Sequence, residues 1–275
     1  MMLLPERSVT TLDTVHCCDC FTLMNGLADR SVDAIITDMP YQVTACTWDK
    51  RVDFDRWWTA VKRILKPRGV MVTTASQPFT SMLVMSNLEW FRYEWVWRKN
   101  RGSNFLNGKI EPMKEHENIL VFALGQPQYY PVWIERKDKA RAKYGYKPDV
   151  RIKTGHVFGD VNFGHRKAFS VEERTPSSVL EHICENGFHP TQKPVSLYDY
   201  LIRTYTQPGD VILDPFMGSG TTGVAALKTG RHYIGCDVSA EYVNLARQRI
   251  QNSDPYQASI LPTGETQLSL FEVNT

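Results

Sequence analysis

The sequence predicts an α/β fold, with a mostly parallel β-sheet covered by helices on both faces. Three observations predict it. Short apolar runs rich in β-branched residues, Val32-Asp33-Ala34-Ile35-Ile36-Thr37 and Val211-Ile212-Leu213, are each followed by a segment of helical periodicity. Both runs end in polar, turn-forming clusters: Asp38-Met39-Pro40-Tyr41 after the first and Asp214-Pro215-Phe216-Met217-Gly218-Ser219-Gly220-Thr221-Thr222 after the second. The chain has 275 residues, enough for one large α/β domain carrying a smaller inserted lobe.

The elements follow in order. After the first strand and a loop, Phe54, Trp57, Trp58, Val61, Ile64 and Leu65 recur at helical spacing, with Lys62, Arg63 and Lys66 on the wet side. Pro67 and Gly69 end that helix, and Gly69-Val70-Met71-Val72-Thr73 reads as the next strand. A helix over residues 78–86 and strands over 91–98 and 117–123 follow. Beyond Val211-Ile212-Leu213 a helix runs through about Lys228 and stops at Gly230. His232-Tyr233-Ile234-Gly235-Cys236-Asp237 is a strand, and Ser239 is a good N-cap for a helix through about Gln251.

Between about Gly125 and Gly187 the periodicity breaks down. Residues 131–170 hold ten Lys or Arg against four Asp or Glu, a local excess of +6 where the whole chain carries +2. A solvated face has this composition. The interleaved Tyr129, Tyr130, Trp133, Tyr144, Tyr146, Phe158 and Phe163 favour a nucleic-acid surface. The expected organisation is a catalytic half over 12–124, an inserted lobe over 125–187, a cofactor half over 188–252 and a C-terminal tail over 253–275.

Composition excludes several classes. A hydrophobic content of 42% argues against disorder. No run approaches the roughly 18 apolar residues of a membrane span, and the N-terminus lacks the pattern of a secretory signal. A cytoplasmic protein with reduced cysteines is expected. His16-Cys17-Cys18-Asp19-Cys20 offers metal-ligating types, but adjacent strand residues point to opposite faces, so no metal site is expected.

Two clusters carry chemistry. Gly218-Ser219-Gly220 lies between a strand and a helix, where glycines let the backbone approach a ligand and the helix start offers free N–H groups. A helix-packing turn accounts for the glycines equally well. Two carboxylates favour a ligand: Asp237, ending the next strand where acids bind ribose hydroxyls, and Asp214, at the mouth of the loop. Asp214 would repel a phosphate and suits an amino-acid ammonium or the neighbourhood of a sulfonium, so the site reads as one for an adenosyl-amino acid.

Asp38-Met39-Pro40-Tyr41 fits a different task. An exocyclic base amine is a poor nucleophile because its lone pair is delocalised into the ring. Two acceptors aimed at its N–H bonds, the Asp38 carboxylate and the main-chain carbonyl beside Pro40, would draw it toward sp³ geometry. Tyr41 could stack on a base swung out of a duplex. An Asp-initiated turn with Pro is the plain alternative. If the strands ending in Asp38 and Asp214 are neighbours, both ligands meet at one switch point.

Together these residues resemble the β-group of amino-methylating DNA methyltransferases, whose motif order is permuted. Asp38-Met39-Pro40-Tyr41 resembles the catalytic tetrad, and the segment from Asp214 to Thr222 the cofactor loop. His189-Pro190-Thr191-Gln192-Lys193-Pro194 is similar to the motif whose lysine meets the methionine carboxylate. Cys18-Asp19-Cys20 resembles the segment whose acid contacts the cofactor adenine. Trp97-Arg98-Lys99 and His116-Glu117-Asn118-Ile119-Leu120-Val121-Phe122 resemble two further segments.

The resemblance covers about 12 to 251. It implies a Rossmann-like, seven-stranded sheet, S-adenosyl-L-methionine as cofactor, and double-stranded DNA with a flipped base as partner. It makes 125–187 the target-recognition lobe and allows a homodimer. The implied catalytic residues are Asp38, Pro40 and Tyr41. The implied cofactor residues are Asp19, Asp38, Lys193, Asp214, Phe216, Gly218, Ser219, Gly220, Thr221 and Asp237.

The chain departs from the tetrad at Met39, where Pro is usual. Family members with Asp at the first position mostly act on adenine N6 and those with Ser on cytosine N4, so adenine is expected. Cytosine N4, a catalytically inactive DNA-binding protein, and an RNA or small-molecule methyltransferase are the alternatives.

Overall fold

The computed structural model describes residues 11–41, 52–135, 173–185, 187 and 192–253. The chain divides into two compact units, one made of residues 1–129 and 179–275, the other of 130–178. In the smaller unit Ile134–Glu135 (β6) pairs antiparallel with Glu173–Arg174 (β7). The basic stretch from 136 to 172, the core of the expected recognition lobe, lies outside the described residues, as do 188–191 and the tail from 254.

The larger unit holds one eight-stranded sheet. Its strands are Thr14–Cys17 (β1), Val32–Thr37 (β2), Leu65–Ala75 (β3), Phe91–Ser103 (β4), Lys114–Phe122 (β5), Val179–Glu181 (β8), Val211–Asp214 (β9) and His232–Asp237 (β10). Their order is β1-β10-β9-β2-β3-β5-β4-β8. The five strands from β1 to β3 are parallel, and β5 then runs antiparallel to both β3 and β4.

The expected seven strands are thus eight. The addition is β8, which pairs parallel with β4 at the sheet edge. It has only three residues, too few for a readable alternation. Residues 179–181 fall in the larger unit with the sheet.

Strands buried on both faces carry apolar residues at nearly every position. Ala34, Ile36, Val70, Val72, Ile119 and Val121 fill one face, packed by helices Val195–Tyr205 (α4), Thr221–Lys228 (α5) and Ala240–Ser253 (α6). Ile35, Met71, Leu120, Phe122, Leu213 and Ile234 fill the other, under Cys20–Gly26 (α1), Phe54–Ile64 (α2) and Phe79–Ser86 (α3). Among the described residues no helix is long and apolar enough to cross a membrane.

Local chemistry sets the ends. The Asp53 carboxylate caps α2 by accepting the Arg56 N–H at 3.1 Å. After α2 the chain does not turn away at Pro67. Leu65 already pairs with Val32, and the register shifts before Ala34 pairs with Val70, so Lys66-Pro67-Arg68-Gly69 forms an irregular start to β3. Two helices stand outside the elements read from the sequence. α1 has only seven residues, although α4 carries Leu197, Tyr198, Leu201, Ile202 and Tyr205 at clear helical spacing. Cys17 is exposed at the end of β1 while Cys20 is buried in α1, so the cysteine cluster diverges.

Candidate active site

The parallel strands bring a row of carboxylates to one edge of the sheet. β9 lies between β10 and β2, so Asp214 at its end stands between Asp237 and Asp38. The two motifs therefore do meet at neighbouring strand ends. The Thr37 hydroxyl at the end of β2 donates to Asp214 Oδ1 at 2.6 Å, a direct stitch between them.

Asp38 is held by three side-chain donors. Its Oδ1 accepts the Tyr41 hydroxyl at 2.7 Å and also the Thr74 hydroxyl from β3. Its Oδ2 accepts Lys193 Nζ at 2.6 Å. Lys193 is buried, and its ammonium also lies 3.4 Å from Glu117 Oε2. The other Glu117 oxygen lies 2.6 Å from Lys99 Nζ.

These five side chains form one ionic cluster of two carboxylates, two ammoniums and a phenol. Burial pushes the Glu117 carboxyl up, but Lys193 and Lys99 outweigh it and hold it below the usual range. Burial works against the Lys193 charge, and Asp38 and Glu117 outweigh it and raise its affinity for the proton. Burial, with Asp38 and Glu117 adding to it, keeps Tyr41 a phenol and therefore a donor. Its ring stacks on Phe79 with centroids 5.3 Å apart and planes 24° from parallel.

Met39 is 1% exposed and packs in the core on the α1–α3 side. Substituting it for the usual proline therefore puts its side chain into packing rather than into the site. Pro40 is buried beside it.

The glycine loop follows β9. Gly218 has φ +51 with open space where a Cβ would stand, so any side chain there would fill the cradle. Gly220 has φ +83 and abuts Ala246 of α6, where a Cβ would come within 3.0 Å of backbone. Asp237 braces the loop, accepting Gly218 N–H at 3.0 Å and Ser239 N–H at 2.8 Å.

Asp214 is turned inward. It accepts the Thr37 and Thr222 hydroxyls and the Phe216 N–H, and burial pushes its carboxyl up to about 6. Ser219 and Thr221 take hydrogen bonds from Arg249 of α6 at 3.1 Å each. Phe216 is half-buried and packs against Trp57, with centroids 5.7 Å apart. Asp19 is exposed just after β1 and caps α1 through the N–H groups of Phe21 and Thr22. Hydrogen bonds from Thr22, set only partly against desolvation, hold its carboxyl below the usual range.

The edge thus gathers Asp19, Asp237, Asp214 and Asp38. Lys193, expected at a carboxylate of the ligand, is paired with the protein's own Asp38 and Glu117. Glu117 and Lys99, which lie in the two further segments that resemble the family, join the cluster. Thr74 and Thr37 join it as well, although their residue types and spacing gave no signal.

The N6/N4 methyltransferase family model, described as DNA methylase, matches residues 32–248. The type II methyltransferase M2.DpnII of Streptococcus pneumoniae is 29% identical over 277 residues, spanning 91% of this chain and 94% of the relative. The solved M1.HpyAVI–SAM complex superposes with a TM-score of 0.56 at 24% identity, covering 86% of this chain and 98% of that one. The PvuII DNA methyltransferase, cytosine-N4-specific, gives a TM-score of 0.59 at 16% identity over 89% and 92%. At these identities the structures establish the Rossmann-like fold. The family match covers both motif clusters and most of the chain between them, and the chain belongs to the N6/N4 DNA methylase family.

Proposed function

We propose that this protein transfers a methyl group from S-adenosyl-L-methionine to the exocyclic N6 amine of adenine in double-stranded DNA. The observation that carries the reading is the position of Asp38, an acceptor fixed by three donors at the strand end next to Asp214 and the glycine cradle.

The donor count says how Asp38 acts. Tyr41 and Thr74 occupy both lone pairs of Oδ1, while Lys193 takes one on Oδ2. The remaining Oδ2 position is the one available to an amine N–H. A carboxylate held this way needs no reorganisation as the amine nitrogen becomes nucleophilic, which is the condition for electrostatic stabilisation. The main-chain carbonyl beside Pro40 is the second acceptor. Tyr41, backed by Phe79, offers its ring to a base turned out of the duplex.

The cradle suits S-adenosyl-L-methionine by its donor set. Gly218 leaves room for close backbone approach, and Asp237 and Asp19 present carboxylates at successive strand ends for ribose and adenine. Gly220, Ser219, Thr221, Phe216 and Asp214 shape the loop. When bound, the cofactor supplies an electrophilic methyl on a sulfonium. Asp237→Ala should weaken its binding by about 1.5–3 kcal/mol, as for a lost hydrogen bond to a charged group. Calorimetry giving an unchanged affinity would remove Asp237 from the site.

Adenine rests on Asp at the first tetrad position. Incubation with methyl-labelled S-adenosyl-L-methionine tests the substrate class. Label should enter duplex DNA and not RNA, and label in RNA alone would overturn the reading.

A further inference from the structure

The β4–β5 hairpin leaves the sheet on the side of the site. Ala75, the last residue of β3, pairs with Asn118, so from Glu117 back to Lys114 β5 has only β4 beside it. Glu117 touches Lys193 and Tyr41. The ribbon that begins there ends in a tip over residues 104–113. The tip is a built turn: Asn104 is left-handed at φ +70, Phe105–Asn107 forms a 3₁₀ turn, and Glu111 accepts from the side chains of Asn104 and Asn107.

Polar bonds therefore hold the tip, yet its apolar side chains face water. Phe105 is 73% exposed, Leu106 84% and Ile110 83%, with Met113 beside them. Arg101, Lys109 and Lys114 flank them, against Glu111 in the tip and Glu115 beside Lys114. Several large apolar groups on a rigid turn mark a contact surface rather than a random scatter.

We infer that this hairpin tip is a DNA-contacting wedge. Its apolar residues enter the duplex beside the displaced base, and its flanking cations hold the adjacent phosphates. The inference rests on the proposed action on duplex DNA. DNA is favoured over a second copy of this chain for two reasons. The ribbon starts at Glu117, which touches two of the residues that hold Asp38, and the duplex must lie there for a base to reach it. Its cations suit a polyanion, and apolar wedges framed by cations are how proteins open a base step.

The test is a Phe105→Ser/Leu106→Ser double variant of the full chain, assayed with labelled S-adenosyl-L-methionine and unmethylated bacterial genomic DNA. Both residues are exposed, so folding should be unaffected. The KM for DNA should rise at least about ten-fold, the scale of a lost stacking contact. Cofactor affinity and sedimentation mass should stay as in the wild type. Lys109→Gln should separately lower the salt slope of DNA binding by about one. An unchanged KM for DNA in the double variant overturns the wedge. So does a fall in sedimentation mass, which would make the tip an interface between copies. A wild-type protein that leaves DNA unlabelled fails the functional reading itself, and the wedge with it.

Discussion

Asp38→Ala should slow methyl transfer in a single turnover by on the order of 10²–10³, the cost of removing one preorganised group from a developing charge. In the proposed mechanism the Oδ2 acceptor acts on the amine as it becomes nucleophilic, so the loss should fall on the chemical step. Cofactor affinity should change far less, since the cradle is braced by Asp237 and Arg249. Asp38→Asn is the sharper control. It keeps the shape, yet it offers an NH₂ group where Lys193 and the amine both need an acceptor. It should be nearly as slow as the alanine variant. A fast Asp38→Asn enzyme would mean that Asp38 only shapes the turn.

Lys193→Ala should be the most destabilising single change in the site. Asp38 and Glu117 both rely on this ammonium, at 2.6 and 3.4 Å, and removing one partner of a buried ion pair costs about 3–5 kcal/mol. The pH dependence gives the mechanism away. In the wild type, Glu117 is held below its usual range, so its contribution is present at neutral pH and lost as pH falls through that lowered value. In the variant, burial faces one cation fewer, and the carboxyl moves back up. The gap between variant and wild type should therefore be widest near pH 7 and narrow on acidification as Glu117 takes up a proton. Denaturant unfolding across a pH series measures it. A pH-independent gap of about 1 kcal/mol would mean that only packing was lost.

The sequence showed the strands and motifs whose signal is local. β2, β9 and β10 are legible because burial on both faces demands uninterrupted apolar runs, and the glycine loop because its φ values exclude most side chains. α2 is legible because its apolar residues recur at helical spacing.

What was not legible is long-range. Thr37 and Asp214 lie 177 positions apart, and only the sheet order makes them partners. Lys193 reads from sequence as a group awaiting a ligand. It is buried because the start of β5 brings Glu117 over it, and no pattern on either segment encodes that meeting. β8 escapes because three residues hold no period. Met39 departs from the tetrad at a buried position, and its side chain packs in the core.

The identity of the methylated base tests the account most directly. Duplex DNA exposed to the enzyme and S-adenosyl-L-methionine is digested to nucleosides and weighed by mass spectrometry, with Asp38→Ala as the control. The account predicts N6-methyldeoxyadenosine from the wild type and a loss of it from the variant. N4-methyldeoxycytidine as the product, or no methylated nucleoside at all, would contradict it.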